Sequence, residues 1–263
     1  MALPRTSRAL RVVALLCAAS CGGGEGEGDG WEATELERRD EGTPTHPIDA
    51  ASTGGLAGAA LFRGTPPPRR QISRGGDCAG HAEPIYSDDV RVADGRLADV
   101  LVHVRKGLAG WEIPPAAHPP ATLRQRGCRF EPPVVALRAG GSLQVTNEDP
   151  VSHNVRVSAR RNPTSNRSQS GGAAPLEIEL PRAELGVAIA CDLHPWMGAS
   201  VHALDHPFFA LTGTDGSFAI DGLPPGDYEV EALHPTLGRV RLAARVERGE
   251  TSELLFPFGE DAE

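Results

Sequence analysis

A thiol, an imidazole and a thioether fall within seven residues of this chain, in the run CDLHPWM from Cys191 to Met197. Soft sulfur and imidazole donors of this kind suit a redox-active metal. A tight copper electron-transfer centre takes one thiolate and two imidazoles in a near-trigonal plane, with a weak thioether on the axis. The run supplies three of those four donors, Cys191, His194 and Met197. The missing imidazole must come from another segment, and His153 in NEDPVSHNVRV is placed to provide it. Each residue alone has a plainer reading: a small buried hydrophobe for Cys191, a hydrogen-bonded core imidazole for His153 and flexible core filler for Met197. Only two methionines occur, Met1 and Met197, so the sole internal one sits at the axial position. Zinc has little use for a thioether, and a binuclear copper site would want a second cysteine in the loop. One copper ion is therefore the expected cofactor.

The elements that must position these residues are short strands. The chain has 31 glycines and 23 prolines, which favour turns over long helices. Between Gly127 and Leu204 the segments VVALR, SLQVTN, HNVRVS, LEIEL, GVAIAC and ASVHAL are separated by glycine, proline and polar clusters, the pattern of a β-sandwich. Strand parity puts Val187, Ile189 and Cys191 on one face, and His153, Val155 and Val157 on another. Both polar ligand candidates thus continue an apolar face at a strand end. Upstream, GLAGAALFRG and VRVADGRLADVLVHV also read as strands, the second turning at Asp94-Gly95. From His206 the chain alternates again, with Phe218/Ile220 and Tyr228/Val230/Ala232 each sharing a face. Residues 158–175 read as a mobile surface loop.

The segments HNV and CDLHPWM together resemble the cupredoxins, the blue-copper fold, and most of all their amicyanin-like branch. There the downstream ligands follow Cys-x-x-His-x-x-Met and the upstream one heads a His-Asn-Val segment. The resemblance implies an all-β, Greek-key β-sandwich in which Cys191, His194 and His153 are equatorial ligands and Met197 the axial one. It makes Asn154 a hydrogen-bonding residue beside the thiolate. It also puts His194 near the surface, with Pro195 and Trp196 in an apolar docking patch for a redox protein partner, a cytochrome or an oxidoreductase. The implied function is one-electron transfer, not catalysis, because four protein ligands leave no open position for substrate. Extended bacterial proteins of this sort resemble those labelled methylamine-utilisation-like. The stretch DGSFAIDGLPPGDYEVEA resembles a carboxypeptidase-regulatory-like, or transthyretin-like, β-sandwich, which marks fold more than chemistry. An alternative function follows from it: an envelope-tethered binding or structural module whose copper is stored, delivered or vestigial.

Arg5, Arg8 and Arg11 flank the apolar run Val12 to Leu16, and small residues precede Cys21, so residues 1–20 read as a secretory signal peptide. The segment resembles a bacterial lipoprotein leader with Cys21 lipidated, which implies a lipid-anchored protein of the bacterial envelope, facing the periplasm or at the surface. Residues 21–54, Gly-rich and acidic, read as a flexible tether with a reach of about 30 Å. Residues 55–126 form an N-terminal β extension, 127–205 the copper domain and 206–263 the second, smaller sandwich. Net charge is -9 for the whole chain and about -12 without the three leader arginines, which argues against nucleic-acid binding. In an oxidising compartment two of Cys78, Cys128 and Cys191 should pair. Cys78 with Cys128 is the expected disulfide, stapling the extension to the copper domain; the other two pairings remain open. His103 is expected to be a satisfied core residue and His202 a partly exposed one, and the histidines outside the ligand set are not expected to form a second site.

Overall fold

In a computed structural model the described residues are 46–80, 83–115 and 120–259. The signal peptide, Cys21 and most of the tether lie outside them. Among the described residues regular structure is almost all strand, relieved by short 3-10 turns, in agreement with the all-β expectation.

Apart from two two-stranded ribbons, His46–Pro47 with Trp111–Glu112 and Gln71–Ile72 with Ile85–Tyr86, the described strands sort into two sheet pairs. One pair builds the sandwich that carries His153 and the Cys191–Met197 loop. Its first sheet runs Val134–Arg138, Gly198–Leu204, Glu184–Ala190, His153–Ser158, Ser165–Gln169; its second runs Phe130–Glu131, Ala121–Gln125, Gly141–Asn147, Leu176–Leu180. Alternation explains which face goes inward. Val155 and Val157 from one strand and Val187 and Ile189 from another are buried with Leu123, Leu143 and Val145 of the facing sheet. Residues 165–169, expected in a mobile loop, form an edge strand antiparallel to His153–Ser158. Their polar side chains suit an edge with one face in solvent.

The second sheet pair corrects the expected domain boundaries. Gly54–Arg63 lies between Ser217–Leu223 and Thr251–Gly259, antiparallel to the first and parallel to the second. Leu101–Lys106 lies between Phe209–Leu211 and Gly226–His234. Segment 55–126 is therefore no free-standing extension, because Gly54–Arg63 and Leu101–Lys106 are each paired on both sides with strands from 206–259. Ala121–Gln125 belongs instead to the sandwich that carries His153, through parallel pairing with Gly141–Asn147. The C-terminal run alternates cleanly but is too short to close two sheets alone, and the missing strands come from more than a hundred residues upstream. Phe218, Ile220, Tyr228, Val230, Phe256 and Phe258 pack with Leu56, Val102 and Val104 in one core. Tyr228 Oη donates to the Pro224 carbonyl, 2.6 Å away, fixing the turn into Gly226–His234. The expected Asp94-Gly95 hairpin is present, both residues at positive φ.

Close approach of the two longest paired strands depends on Gly58. A Cβ there would stand 1.8 Å from the Leu254 carbonyl oxygen. Gly58→Ala should therefore force Gly54–Arg63 away from Thr251–Gly259 and cost about 3 kcal/mol, the upper part of the range for overpacking. Urea unfolding checks this, and an unchanged midpoint would contradict it.

The sandwiches meet through Leu101 and Leu233 on one side and Leu204, Ala136 and Leu185 on the other. Buried polar groups accompany this contact. His202, expected to be partly exposed, is 1% exposed, because the second sandwich covers its strand. Its Nδ1 accepts from the Gly186 amide. His103 is buried as expected, with Nε2 3.4 Å from Glu231 Oε1, but its Nδ1 has no hydrogen-bond partner among the described residues. Glu231 is buried among Arg105, Arg239 and Arg241.

Candidate metal centre

Two strand ends and one loop assemble the centre. His153 opens the strand His153–Ser158, and Cys191 directly follows Glu184–Ala190, which pairs with it. The chain then turns through His194 and Met197 before Gly198–Leu204 begins. Two backbone bonds close that turn, Met197 N–H to His194 O and Cys191 N–H to Met197 O. A loop this tight places residues three and six positions after the cysteine back against it.

His153, Cys191 and His194 each offer a ligand atom within 4.8 Å of the others. The Nδ1 atoms of the two histidines are 2.9 Å apart, and Cys191 Sγ is 3.7 Å from His194 Nδ1. His153 is fully buried, Cys191 and Met197 are each 2% exposed and His194 is 5% exposed. Met197 lies in the same core cluster as Cys191. His194 is thus buried beneath Leu193, 58% exposed, and the exposed Pro195.

Hydrogen bonds set the donor atoms. The Asp149 carboxylate accepts at 2.9 Å from His153 Nε2, so in the neutral ring the Nδ1 lone pair faces Cys191 and His194, while the protonated ring donates there instead. Asn154 works on the loop. Its backbone N–H points at Cys191 Sγ, 3.4 Å away, and its Oδ1 accepts from the amides of Asp192 and Leu193. Its Nδ2 donates to Asn166 Oδ1 and to Asp192 Oδ2. The Asp192 carboxylate also accepts from Asn166 and Arg156, and those bonds hold it below the usual carboxylate range. The role expected of Asn154 thus has a geometric basis. Asp149 carried no sequence signal beyond its position four residues before His153 in a turn, where its own amide bonds Asn147 Oδ1.

Electrostatics favour a thiolate. Burial pushes the Cys191 thiol up, but hydrogen bonds from His153 and from the amides of Asn154, His194 and Leu193 outweigh it and bring it below its ordinary value. Burial acts against protonation of His153, yet its bonds to Cys191 and Asp149 raise it. His194 is lowered by burial and by its neighbour His153. A thiolate beside two imidazoles is the state a soft metal requires.

The residues fit copper. One thiol, two Nδ1 atoms and a buried thioether make the mixed sulfur and nitrogen set that copper takes. Asp149, Cys128 and His153 form a second cluster within 4.8 Å, but Cys128 is tied to Cys78 in a disulfide and has no thiolate to offer. That disulfide is the expected pairing, and Cys191 is the free cysteine among the described residues.

Trp196 stands at the edge of the centre, its ring 5.2 Å from that of His194. Its Nε1 donates to the Cys128 carbonyl. It also lines a cleft of about 750 Å³ shared with Arg129, Phe130, Pro195 and, from the second sandwich, His234 and Thr236.

No family model and no curated protein matches the chain. Among solved structures it is similar to a purple cupredoxin from Nitrosopumilus maritimus, at 17% identity and a TM-score of 0.28, over 32% of this chain and 98% of that one. A copper-containing nitrite reductase from Thermus scotoductus aligns at 21% identity and a TM-score of 0.29, over 38% of this chain and 25% of that one. A copper(I) amicyanin variant aligns at 16% identity and a TM-score of 0.29, over 34% and 85%.

Proposed function

We propose that this protein is an exported, single-copper carrier of electrons, with Cys191, His153 and His194 as equatorial ligands and Met197 as the axial one. The observation that carries the proposal is the convergence of a thiol lowered toward its thiolate and two Nδ1 atoms in one buried pocket, on a loop that also contains the only internal methionine. Copper held there would supply a Cu(II)/Cu(I) couple. The protein's part is to hold that donor set fixed and to exclude water. Asn154 anchors the loop through its side-chain oxygen and points its amide at the sulfur, while Asp149 orients His153. Such preset donors change little between oxidation states, which favours transfer of an electron over chemistry on a bound substrate.

The route to a redox protein partner runs through the His194 edge, with Trp196, Pro195 and Leu193 forming the apolar surface around it. Partners of this class use small interfaces. A cytochrome or an oxidoreductase would satisfy this surface, and the acidic net charge argues against nucleic acid. The Cys78–Cys128 disulfide supports an oxidising compartment. Cys21 after small residues supports lipid anchoring in a bacterial envelope, facing the periplasm or the surface. The resemblance of residues 206–263 to carboxypeptidase-regulatory-like sandwiches supports a role for the second sheet pair in contacts, with no catalytic function.

Titration of the metal-free protein with Cu(II) tests the central claim. One equivalent should develop an intense visible thiolate-to-copper band, bleached by a mild reductant and restored on oxidation. A colourless protein, or one that takes up no stoichiometric copper, would overturn the carrier reading in favour of a structural module.

A further inference from the structure

The main chain of Cys128 touches the surroundings of both ligating histidines. Its amide and that of Gly127 donate to the two oxygens of Asp149, at 2.9 and 2.6 Å, and Asp149 holds His153 Nε2 at 2.9 Å. On its other side the Cys128 carbonyl accepts from Trp196 Nε1 at 3.0 Å, and Trp196 lies between His194 and Met197 in the ligand loop. Cys128 and its disulfide partner Cys78 are both fully buried in the cluster that contains Cys191 and Met197.

The backbone at this point is not relaxed. Gly127 and Cys128 both have positive φ, 62° and 56°, a region that glycine enters freely and cysteine does not. A residue outside glycine stays there only when its surroundings hold it. Three hydrogen bonds and one covalent bond do so here: two amides on Asp149, one carbonyl under Trp196, and the sulfur bridge to Cys78. Cys78 sits in the 3-10 turn Gly76–Gly80, within the chain that connects strands of the second sandwich. That turn also brings Asp77 near enough to His194 for its charge to act on the imidazole.

We propose that the Cys78–Cys128 disulfide is a positioning element of the metal centre. By clamping the Gly127–Cys128 turn it fixes His153 through Asp149 and the ligand loop through Trp196. The inference rests on the copper reading for its affinity readout. Its physical content is independent of copper: the bridge restrains the apo loop and thereby the access of reagents to Cys191. The second sandwich, through this bridge, helps to hold a metal site built entirely from residues of the first.

The experiment compares full-length protein with the C78A/C128A double variant, and with Trp196→Phe and Asp149→Asn, in which the disulfide is kept and one link from Cys128 is weakened. Copper affinity is read by competition with a chelator of known strength. Alkylation of Cys191 by iodoacetamide in the metal-free protein is followed by mass. Far-UV circular dichroism reports folding. The folded double variant should bind copper 10- to 100-fold more weakly, the range for loss of an outer hydrogen-bond partner of a metal ligand. Its Cys191 should be alkylated at least several-fold faster. Each single variant should move both readouts in the same direction by less.

A folded double variant with parental affinity and parental alkylation rate overturns the inference. If the double variant does not fold, parental values for both single variants overturn it. If the parent binds no copper, the copper reading fails by itself, and the alkylation rates alone then support or overturn the role of the bridge.

Discussion

A Cys191→Ser protein is expected to fold as the parent does and to lose the visible copper band entirely. Cys191 Sγ is 3.3 Å from Asn154 Oδ1, and a serine hydroxyl, on a shorter bond, meets the same acceptor after a small side-chain shift, so the buried position stays satisfied. What it cannot supply is a thiolate. Every group that lowers Cys191, namely His153 and the amides of Asn154, His194 and Leu193, acts on a sulfur anion that the variant lacks, because a hydroxyl stays protonated at neutral pH. Affinity for copper should fall by more than the roughly 10–100-fold that follows loss of an outer hydrogen-bond partner, since a ligand itself is removed. Absorption spectra of loaded parent and variant decide the matter. A variant that keeps the band would show that the colour arises elsewhere and would remove Cys191 from the ligand set.

Acid should unfold the protein near pH 4, because three buried imidazoles stay neutral in the folded state while the unfolded chain protonates them. Burial lowers His202 to about 3, and His206 and His234 to about 4, against 6.5 for an exposed imidazole. These folded-state values are depressed, so the folded protein refuses protons that the unfolded chain accepts. Above pH 6.5 both states carry neutral imidazoles and these groups leave stability unchanged. As pH falls from 6.5 to about 4, only the unfolded chain gains protons, and stability drops. At about 1.4 kcal/mol per pH unit, each histidine withdraws about 3 kcal/mol by pH 4. The groups near His103 share surroundings, so the three losses will sum to less than their total. Glu231 acts in the same direction at lower pH. Burial would raise it, but hydrogen bonds from His103 and Arg241 hold it at about 2, so its contribution is present above pH 4.5 and is lost toward pH 2. Against a typical stability of about 5–15 kcal/mol, losses of this size are enough to bring the midpoint of acid unfolding near pH 4. Urea melts at pH 7.5 and pH 4.5 should differ by several kcal/mol, and coincident curves would refute the assignment.

The same junction explains a failure of sequence reading. Nothing local to Gly198–Leu204 says that the second sandwich lies over His202. His202 therefore reads as half exposed and is buried. Gln169 offers a parallel case. Its neighbours Ser165 to Ser168 are polar and suggest a loop, but they pair along His153–Ser158, and the Gln169 amide then bonds the Val145 and Ala174 carbonyls from within the core. Hydrogen bonding to a neighbouring strand rewards residues of low apparent strand preference when the partner is already in place.

By itself the sequence suggested a donor set, put His153 and Cys191 inward by parity, placed the hairpin at Asp94-Gly95 and favoured Cys128 among the possible partners of Cys78. These were legible because they are local or nearly so: ligand spacing of three residues closes within one loop, strand period is two, and three candidate thiols allow few pairings. Tertiary structure alone decided that Gly54–Arg63 threads between strands from 217 to 259, that one sandwich is inserted in the sequence between the two halves of the other, and that Asp149, Cys128 and Trp196 meet behind His153 and His194. The physical reason is that a strand's pattern specifies which face it buries but not which edge it pairs with. That choice is made by non-local backbone hydrogen bonds, whose partners no single segment encodes.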